Sequence, residues 1–479
     1  MKPILPIFLL FCFAISSFGQ APDRQQFIRL EAPVTALAHV RVIDGTGAAP
    51  RDDQTIVISG GKIQSVGPSK TAKVPANTQT LDLQGYTVLP GLVGMHNHMF
   101  FPMGGSPPMY SNMGISFPRL YLALGVTTIR TTGSVAPYTD LEIKRLIDSG
   151  RMIGPKMYVT APYLEGHGSF TPVMHELTGA DDARRMVNYW ADLGATSFKA
   201  YMNITRDELR AAVEEAHKRG LKVTGHLCSI GFREAAALGI DNLEHGLMVD
   251  SEFVPNKQPD QCPPGNAVST SLRQLDLNSD AAQETIRTLV AKNVAITSTL
   301  PVFEAAGAPL SQAGIGAANA LLNPRVLNVM STDARVRYLQ ARARVSSESN
   351  YVALLRKVMD FERAFVQAGR LLIAGPDPTG NGGIVAGFGD LREVQLLVEA
   401  GFTPIEAVKI ASFNGAKFLG EDARIGSIAP GKNADLMVVK GNPASNINDI
   451  EKVEIVFKDG VGYDSEKLIQ SVQGLVGIR

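Results

Sequence analysis

The chain has 479 residues, 46 Lys and Arg against 46 Asp and Glu, a hydrophobic fraction of 45% and three cysteines, the balance of a globular protein with a large core. That composition excludes disorder and collagen-like architecture. With no net charge there is no field to hold a polyanion, so neither nucleic acid nor an anionic membrane surface is an expected partner.

At the start of the chain, Lys2 is the only charge ahead of an apolar run from Ile4 to Ile15, and Ser17 and Gly19 flank Phe18 before Gln20. This is the pattern of a secretory signal peptide over 1–19, with export to the periplasm or medium as the expectation. A membrane anchor needs about 20 apolar residues; this run is shorter, contains Pro6 and meets Ser16 and Ser17. Cleavage would remove Cys12 and leave Cys228 and Cys262, too few for a disulfide scaffold and silent on whether they pair.

Three segments follow with a period near two and Gly-rich turns: HVRVIDGTG from His39, TIVISGGKIQSVG from Thr55 and QTLDLQGYTVLPG from Gln79. They predict strands of a small sheet domain. The same texture returns in GSIAPGKNADLMVVKG from Gly426 and EIVFKDGVGYD from Glu454, so one small domain is expected from both ends, 20–88 with 421–479. Between them, over 89–420, short apolar runs alternate with helical patterns. The runs are TVLPGLVGMHNH from Thr87, TTIRTTG from Thr127, KMYVTAPYL from Lys156, ATSFKAYM from Ala195, LKVTGHL from Leu221, DNLEHG from Asp241, VAITSTL from Val294 and LLIAGPD from Leu371. Strands alternating with helices imply parallel βαβ units, and this number of runs predicts an α/β fold of the (β/α)8 TIM-barrel type. A doubly wound sheet would want a Gly-rich phosphate loop, and none is present. Thr205 with Glu208, and Thr403 with Pro404 and Glu406, are helix starts, and Gly220 is a helix stop. The stretch over about 247–345 exceeds one helix and is expected to be an insertion over one end of the barrel.

His96 and His98 stand two apart at a strand end, so their rings share a face and can share a cation. His226 ends LKVTGHL and His245 ends DNLEHG, Lys199 ends a fourth strand and Asp377 the last. Catalytic groups of a barrel gather at these C-terminal ends. A lysine among imidazoles is odd for a cation site unless its amine takes up carbon dioxide; the resulting carbamate is anionic and can bridge two divalent metals. An unmodified Lys199 in an ion pair is the alternative. The lysine and the two later histidines lie about one βα unit apart, as consecutive strands require.

On these residues the chain resembles the amidohydrolase superfamily, in its imidazolonepropionase-like and prolidase-like (Xaa-Pro dipeptidase-like) branch. The resemblance is carried in order by HNH (His96, His98), FKAYM (Lys199), VTGHL (His226), NLEHG (His245) and AGPD (Asp377), with PGL at Pro90 and GKNADLMVV at Gly431, and it spans roughly Leu37 to Asp464. It implies a (β/α)8 barrel with a composite β-sandwich and a centre of two zinc ions bridged by carboxylated Lys199. Gly94 stands where the family usually has an Asp two before the first metal histidine, Thr131 follows Arg130 where an Asp is frequent, and prolines 376 and 378 flank Asp377. These departures touch the tuning of the site and its pocket, not the ligands. Imidazolonepropionases themselves lack the strand-four lysine, which argues against that activity.

A metal-bound hydroxide would attack a carbonyl polarised by a cation, with Asp377, also a metal ligand, moving the proton from the hydroxide to the departing amine. His167, in EGHGS, matches a GHG that in the prolidase-like branch holds the substrate carbonyl; a plain loop histidine is the other reading. Tyr201, two past Lys199 and on the same face, would steady the oxyanion or simply pack. Met95, Met99, Met103, Met109 and Met113 suit a core or an apolar pocket wall. His39, His175 and His217 receive no role. The expected activity is hydrolysis of a small-molecule amide, a dipeptide or N-acyl amino acid, by an exported protein without a stable membrane anchor; self-association into a homo-oligomer is left open. A second class is a lactone, carbamate, aryl urea or phosphotriester. A third, a catalytically idle barrel scaffold, would not need the four histidines, Lys199 and Asp377.

Overall fold

The structure, a computed structural model, describes residues 24–308, 322–346 and 351–478; the expected signal peptide lies outside them. Parallel strands build the central part of the molecule. β1 (Leu92–Asn97), β2 (Val126–Thr131) and β3 (Lys156–Val159) form a three-stranded sheet with β2 in the middle. β4 (Ser197–Ala200), β5 (Lys222–Gly225), β6 (Asn242–Glu244), β7 (Ala295–Ser298) and β8 (Leu372–Ala374) form a five-stranded sheet in chain order. β1, β2, β4, β6, β7 and β8 are buried along their whole length, which is why they lack the in-and-out alternation of a half-exposed strand, and polar members such as Arg130 and Glu244 pair with each other inside.

The two sheets meet at both borders. Between β3 and β4, Thr196 N–H donates to Val159 O at 2.8 Å, Ala161 N–H to Ser197 O at 3.0 Å and Leu164 N–H to Lys199 O at 2.9 Å. At the other border Asp377 N–H donates to His96 O at 3.0 Å, and a Cβ on Gly375 would overlap the His96 backbone nitrogen, so only glycine lets β8 come this close to β1. Every connection from β1 to β8 carries a helix. The predicted starts are present: Thr205 and Thr403 each cap a helix in a reciprocal box with Glu208 and Glu406, and Gly220 follows the first of these helices at φ 68°.

Both ends of the described chain enter one nine-stranded sheet, in which Leu436–Lys440 lies between Tyr86–Pro90 and Val453–Lys458. The stretch 247–345 differs from the expectation of one insertion. It contains β7, paired to both neighbours in the five-stranded sheet, so the added material divides into a part before that strand and a part after it. Met95, Met99, Met103 and Met113 are buried and Met109 is exposed, as core filling predicts. Cys228 and Cys262 are joined in a disulfide, Cα to Cα 4.8 Å. Among the described residues no helix is long and apolar enough to cross a membrane.

Candidate metal and active site

The C-terminal ends of β1, β4, β5, β6 and β8 bring His96, His98, Lys199, His226, His245 and Asp377 together. Strand alternation turns His96 and His98 inward and Asn97 outward, where its amide donates to Asp390 at 2.9 Å. Asp377 Oδ1 stands 3.2 Å from His98 Nε2 and 3.7 Å from His96 Nε2, and its Oδ2 4.0 Å from His245 Nδ1. Lys199 Nζ lies 3.1 Å from His96 Nε2. The His226 ring packs on His245, centroids 4.4 Å apart. Asp377 and His245 hold left-handed backbone, φ 50° and 71°, which non-glycine residues adopt only where surrounding structure enforces it.

Burial sets the charge states. It pulls the His98 imidazole down to about 4 and His226 to about 3, and with the Lys199 charge beside it holds His96 below its usual range; burial, with His226 and His96 beside it, holds His245 well below it. The rings are therefore neutral near pH 7, the form that binds metals. Each has an anchored orientation where a partner exists. His96 Nδ1 faces Glu244 Oε2 at 2.7 Å, His98 Nδ1 faces Gly133 O at 3.1 Å and His245 Nδ1 faces Thr299 Oγ1 at 2.8 Å. Acceptors at the Nδ1 of His96 and His98 leave their Nε2 lone pairs directed at the cluster. His245 Nε2 is buried with no hydrogen-bond partner, an orphan that a bound cation would satisfy. Ligand atoms of His96, His98 and Asp377 all fall within 4.8 Å of one another. The donor set thus fits divalent metal. Burial also lowers Lys199 to about 8 despite the carboxylates of Glu244 and Asp377, which enlarges the share of free amine, the form able to attack carbon dioxide.

Two residues of this assembly were given no role from the sequence. Glu244 accepts from Arg130 Nη2 at 2.7 Å and from Thr224 Oγ1, while orienting His96. Arg130, nearly inaccessible, also donates to Met95 O at 2.8 Å and to Asn242. Burial pushes the Glu244 carboxyl up, but Arg130 and His96 hold it well below the carboxylate range. The sequence signal was there: an acid beside His245 inside a buried strand, and an arginine inside another. The departures also have local reasons. A Cβ on Gly94 would overlap the Asn97 amide, so Asn97 occupies the space that a larger residue 94 would need.

The weaker candidates separate. Tyr201 lines the cavity over the cluster, its ring 4.9 Å from that of His226. His167 does not line that cavity; its side chain is 98% exposed and pairs with Glu176 at 2.9 Å. His39, His175 and His217 pair with Asp53, Asp182 and Asp241 away from the cluster.

The family model described as "Amidohydrolase family" matches residues 87–461. An imidazolonepropionase of Paenarthrobacter aurescens is 35% identical over 95 residues, 20% of this chain and 22% of that protein; the match therefore spans about a fifth of the relative. A Bifidobacterium longum structure assigned as a prolidase superposes with a TM-score of 0.65 at 26% identity, over 92% of this chain and 98% of that one. A Xaa-Pro dipeptidase structure with methionine bound in its active site gives 0.65 at 21%, over 90% and 100%.

Proposed function

This chain belongs to the amidohydrolase family, in the branch that holds imidazolonepropionase-like and prolidase-like proteins, and from that premise we propose that it is an exported, metal-dependent hydrolase of small-molecule amide C–N bonds. The observation that carries the proposal is the convergence of His96, His98 and Asp377 beside Lys199 and the orphaned His245 Nε2. The architecture goes with it: two parallel sheets hydrogen-bonded at both borders support a closed (β/α)8 barrel over 89–420, and the shared nine-stranded sheet supports a composite β-sandwich from 20–88 and 421–479.

On this reading His96, His98, His226, His245 and carboxylated Lys199 would hold two zinc ions, with Asp377 at most a weak ligand. When bound, such cations acidify a water and polarise a carbonyl. Asp377 accepts the proton of the attacking water on its carboxylate and delivers it to the departing nitrogen, base first and acid second. Tyr201, beside His226, donates its phenol hydrogen to the oxygen that gains charge. His167 acts on substrate only if its loop turns inward from its pairing with Glu176. Glu244 and Arg130 position His96. The cysteine bridge supports export, since disulfides persist in oxidising compartments.

The test is metal analysis joined to an amide screen. Wild-type protein is expected to hold close to two zinc equivalents and to hydrolyse amides; Lys199→Ala loses at least one equivalent, with activity partly restored by small carboxylic acids. A stoichiometry of one, unchanged in Lys199→Ala, refutes the bridged centre. Turnover of lactones or phosphotriesters with none of amides refutes the C–N assignment.

A further inference from the structure

The cavity above the cluster has a volume of about 300 Å³, room for a small molecule of one or two rings. Its wall is built from aromatic side chains: Phe100, Tyr110, Tyr163, Phe170, Tyr201 and Phe303. They form a continuous lining. Tyr163 packs edge-on against Tyr201 at 4.8 Å between centroids and Phe170 tilts over Tyr201 at 6.2 Å. Phe100 meets Tyr110 at 5.1 Å and tilts over His98 at 4.5 Å, while Phe303 lies edge-on to His245 at 5.6 Å. The remaining wall is Val135, Met174, Val302 and Ala306 with the small residues Thr379 and Gly380. Among the described residues, the only charged groups that line the cavity are Lys199 and Asp377, and both belong to the reacting end.

This distribution bears on what can enter. A dipeptide or N-acyl amino acid carries a carboxylate on the amine side of the scissile bond. Enclosing that anion without a cation costs far more than enclosing a neutral group. Among the described residues the wall has no arginine, and its one lysine is committed at the metal end. What it does have is aromatic surface, which binds rings by offset and edge-to-face packing, and phenol hydroxyls. The hydroxyls of Tyr110, Tyr163 and Tyr201 are neutral donors suited to a carbonyl or ether oxygen.

We propose that the substrate is an uncharged amide bearing an aromatic or bulky apolar group on each side of the C–N bond, and that the six-ring wall is the specificity element that selects it over amides with a free carboxylate. The inference rests on the proposed hydrolase activity for its chemistry, and on the cavity alone for its selectivity.

The experiment uses a matched pair, N-benzoyl-2-phenylethylamine and N-benzoyl-L-phenylalanine, which differ only in the carboxylate. Metal-loaded wild-type protein is expected to turn over the neutral amide with kcat/KM at least tenfold higher. Phe170→Lys adds a cation at a wall position that is 42% exposed and so tolerates substitution; it should raise the relative kcat/KM of the carboxylate compound at least tenfold. Calorimetric binding of both compounds to metal-loaded Asp377→Asn gives a readout apart from turnover, with the neutral compound expected to bind at least tenfold more tightly. Equal or tighter binding of the carboxylate compound overturns the proposal, as does an unchanged preference in Phe170→Lys. If wild-type protein cleaves neither amide while the neutral compound still binds more tightly, the amide-hydrolase reading fails and the selectivity of the pocket stands.

Discussion

Asp377 is held by two histidines, a left-handed backbone and the β1 backbone carbonyl, an arrangement that fixes one carboxylate beside the cluster. Asp377→Asn keeps its size and one oxygen but cannot shuttle a proton, so turnover of the best amide substrate should fall by roughly 10² to 10⁴ while metal content hardly changes; metal loss would make the residue mainly a ligand. Glu244 acts one step back. Glu244→Gln removes the charge that pairs Arg130 and orients His96, so metal affinity should fall by about 10- to 100-fold and stability by about 3 kcal/mol, read by metal titration and urea unfolding. Glu362 is another kind of residue, fully buried, with Oε2 on Ser298 at 2.9 Å and Oε1 unpartnered. Burial raises its carboxyl to about 8, so the folded state keeps a proton that the unfolded state releases above about 4.3. The folded state binds more protons in that window, and this contribution to stability is lost as pH rises through it. Glu362→Gln should remove that loss: the variant's unfolding free energy relative to wild type should increase between about pH 5 and pH 8, and a pH-independent difference would refute the assignment. All of this was half legible. The ligands announce themselves by type and by place at strand ends, whereas the roles of Glu244 and Arg130 depend on partners more than 100 residues away.

At the scale of elements, local rules succeeded where the local interaction is also the one that decides. The helix Arg206–Lys218 begins where Thr205 and Glu208 exchange hydrogen bonds with each other's backbone, an arrangement complete within four residues. Thr205→Ala should therefore cost about 1 kcal/mol of stability, measured by thermal or urea unfolding, with kcat/KM unchanged; a change in catalysis would show that this helix start also positions the neighbouring β4 end. The parallel strands were legible as short runs between helical patterns, because burial on both faces removes the polar alternation of a half-exposed strand. The stretch 247–345 was less so: β7, already offered as a strand by the run from Val294, is four residues long, and its hydrogen bonds to β6 and β8 divide the stretch in two.

For the molecule as a whole, export and the single disulfide make one joint prediction. Protein recovered from the native envelope or medium should begin near Gln20 by mass spectrometry and contain Cys228 bonded to Cys262; an intact Met1 in a cytosolic fraction would refute export. What the sequence by itself determined was the chemistry available and its order along the chain: which residue types could hold a cation, the strand ends they occupy, and sheet-forming segments at both ends. These follow from periodicity and from side-chain chemistry, which are local. The tertiary structure alone decided which groups meet and in what state. It placed Lys199 against His96, left His245 Nε2 without a partner, turned His167 out to Glu176, paired the two cysteines and lined the cavity with rings and, among the described residues, no free cation. The reason is physical: orientation, desolvation and charge pairing depend on atoms brought together from distant parts of the chain, and no local pattern encodes those distances.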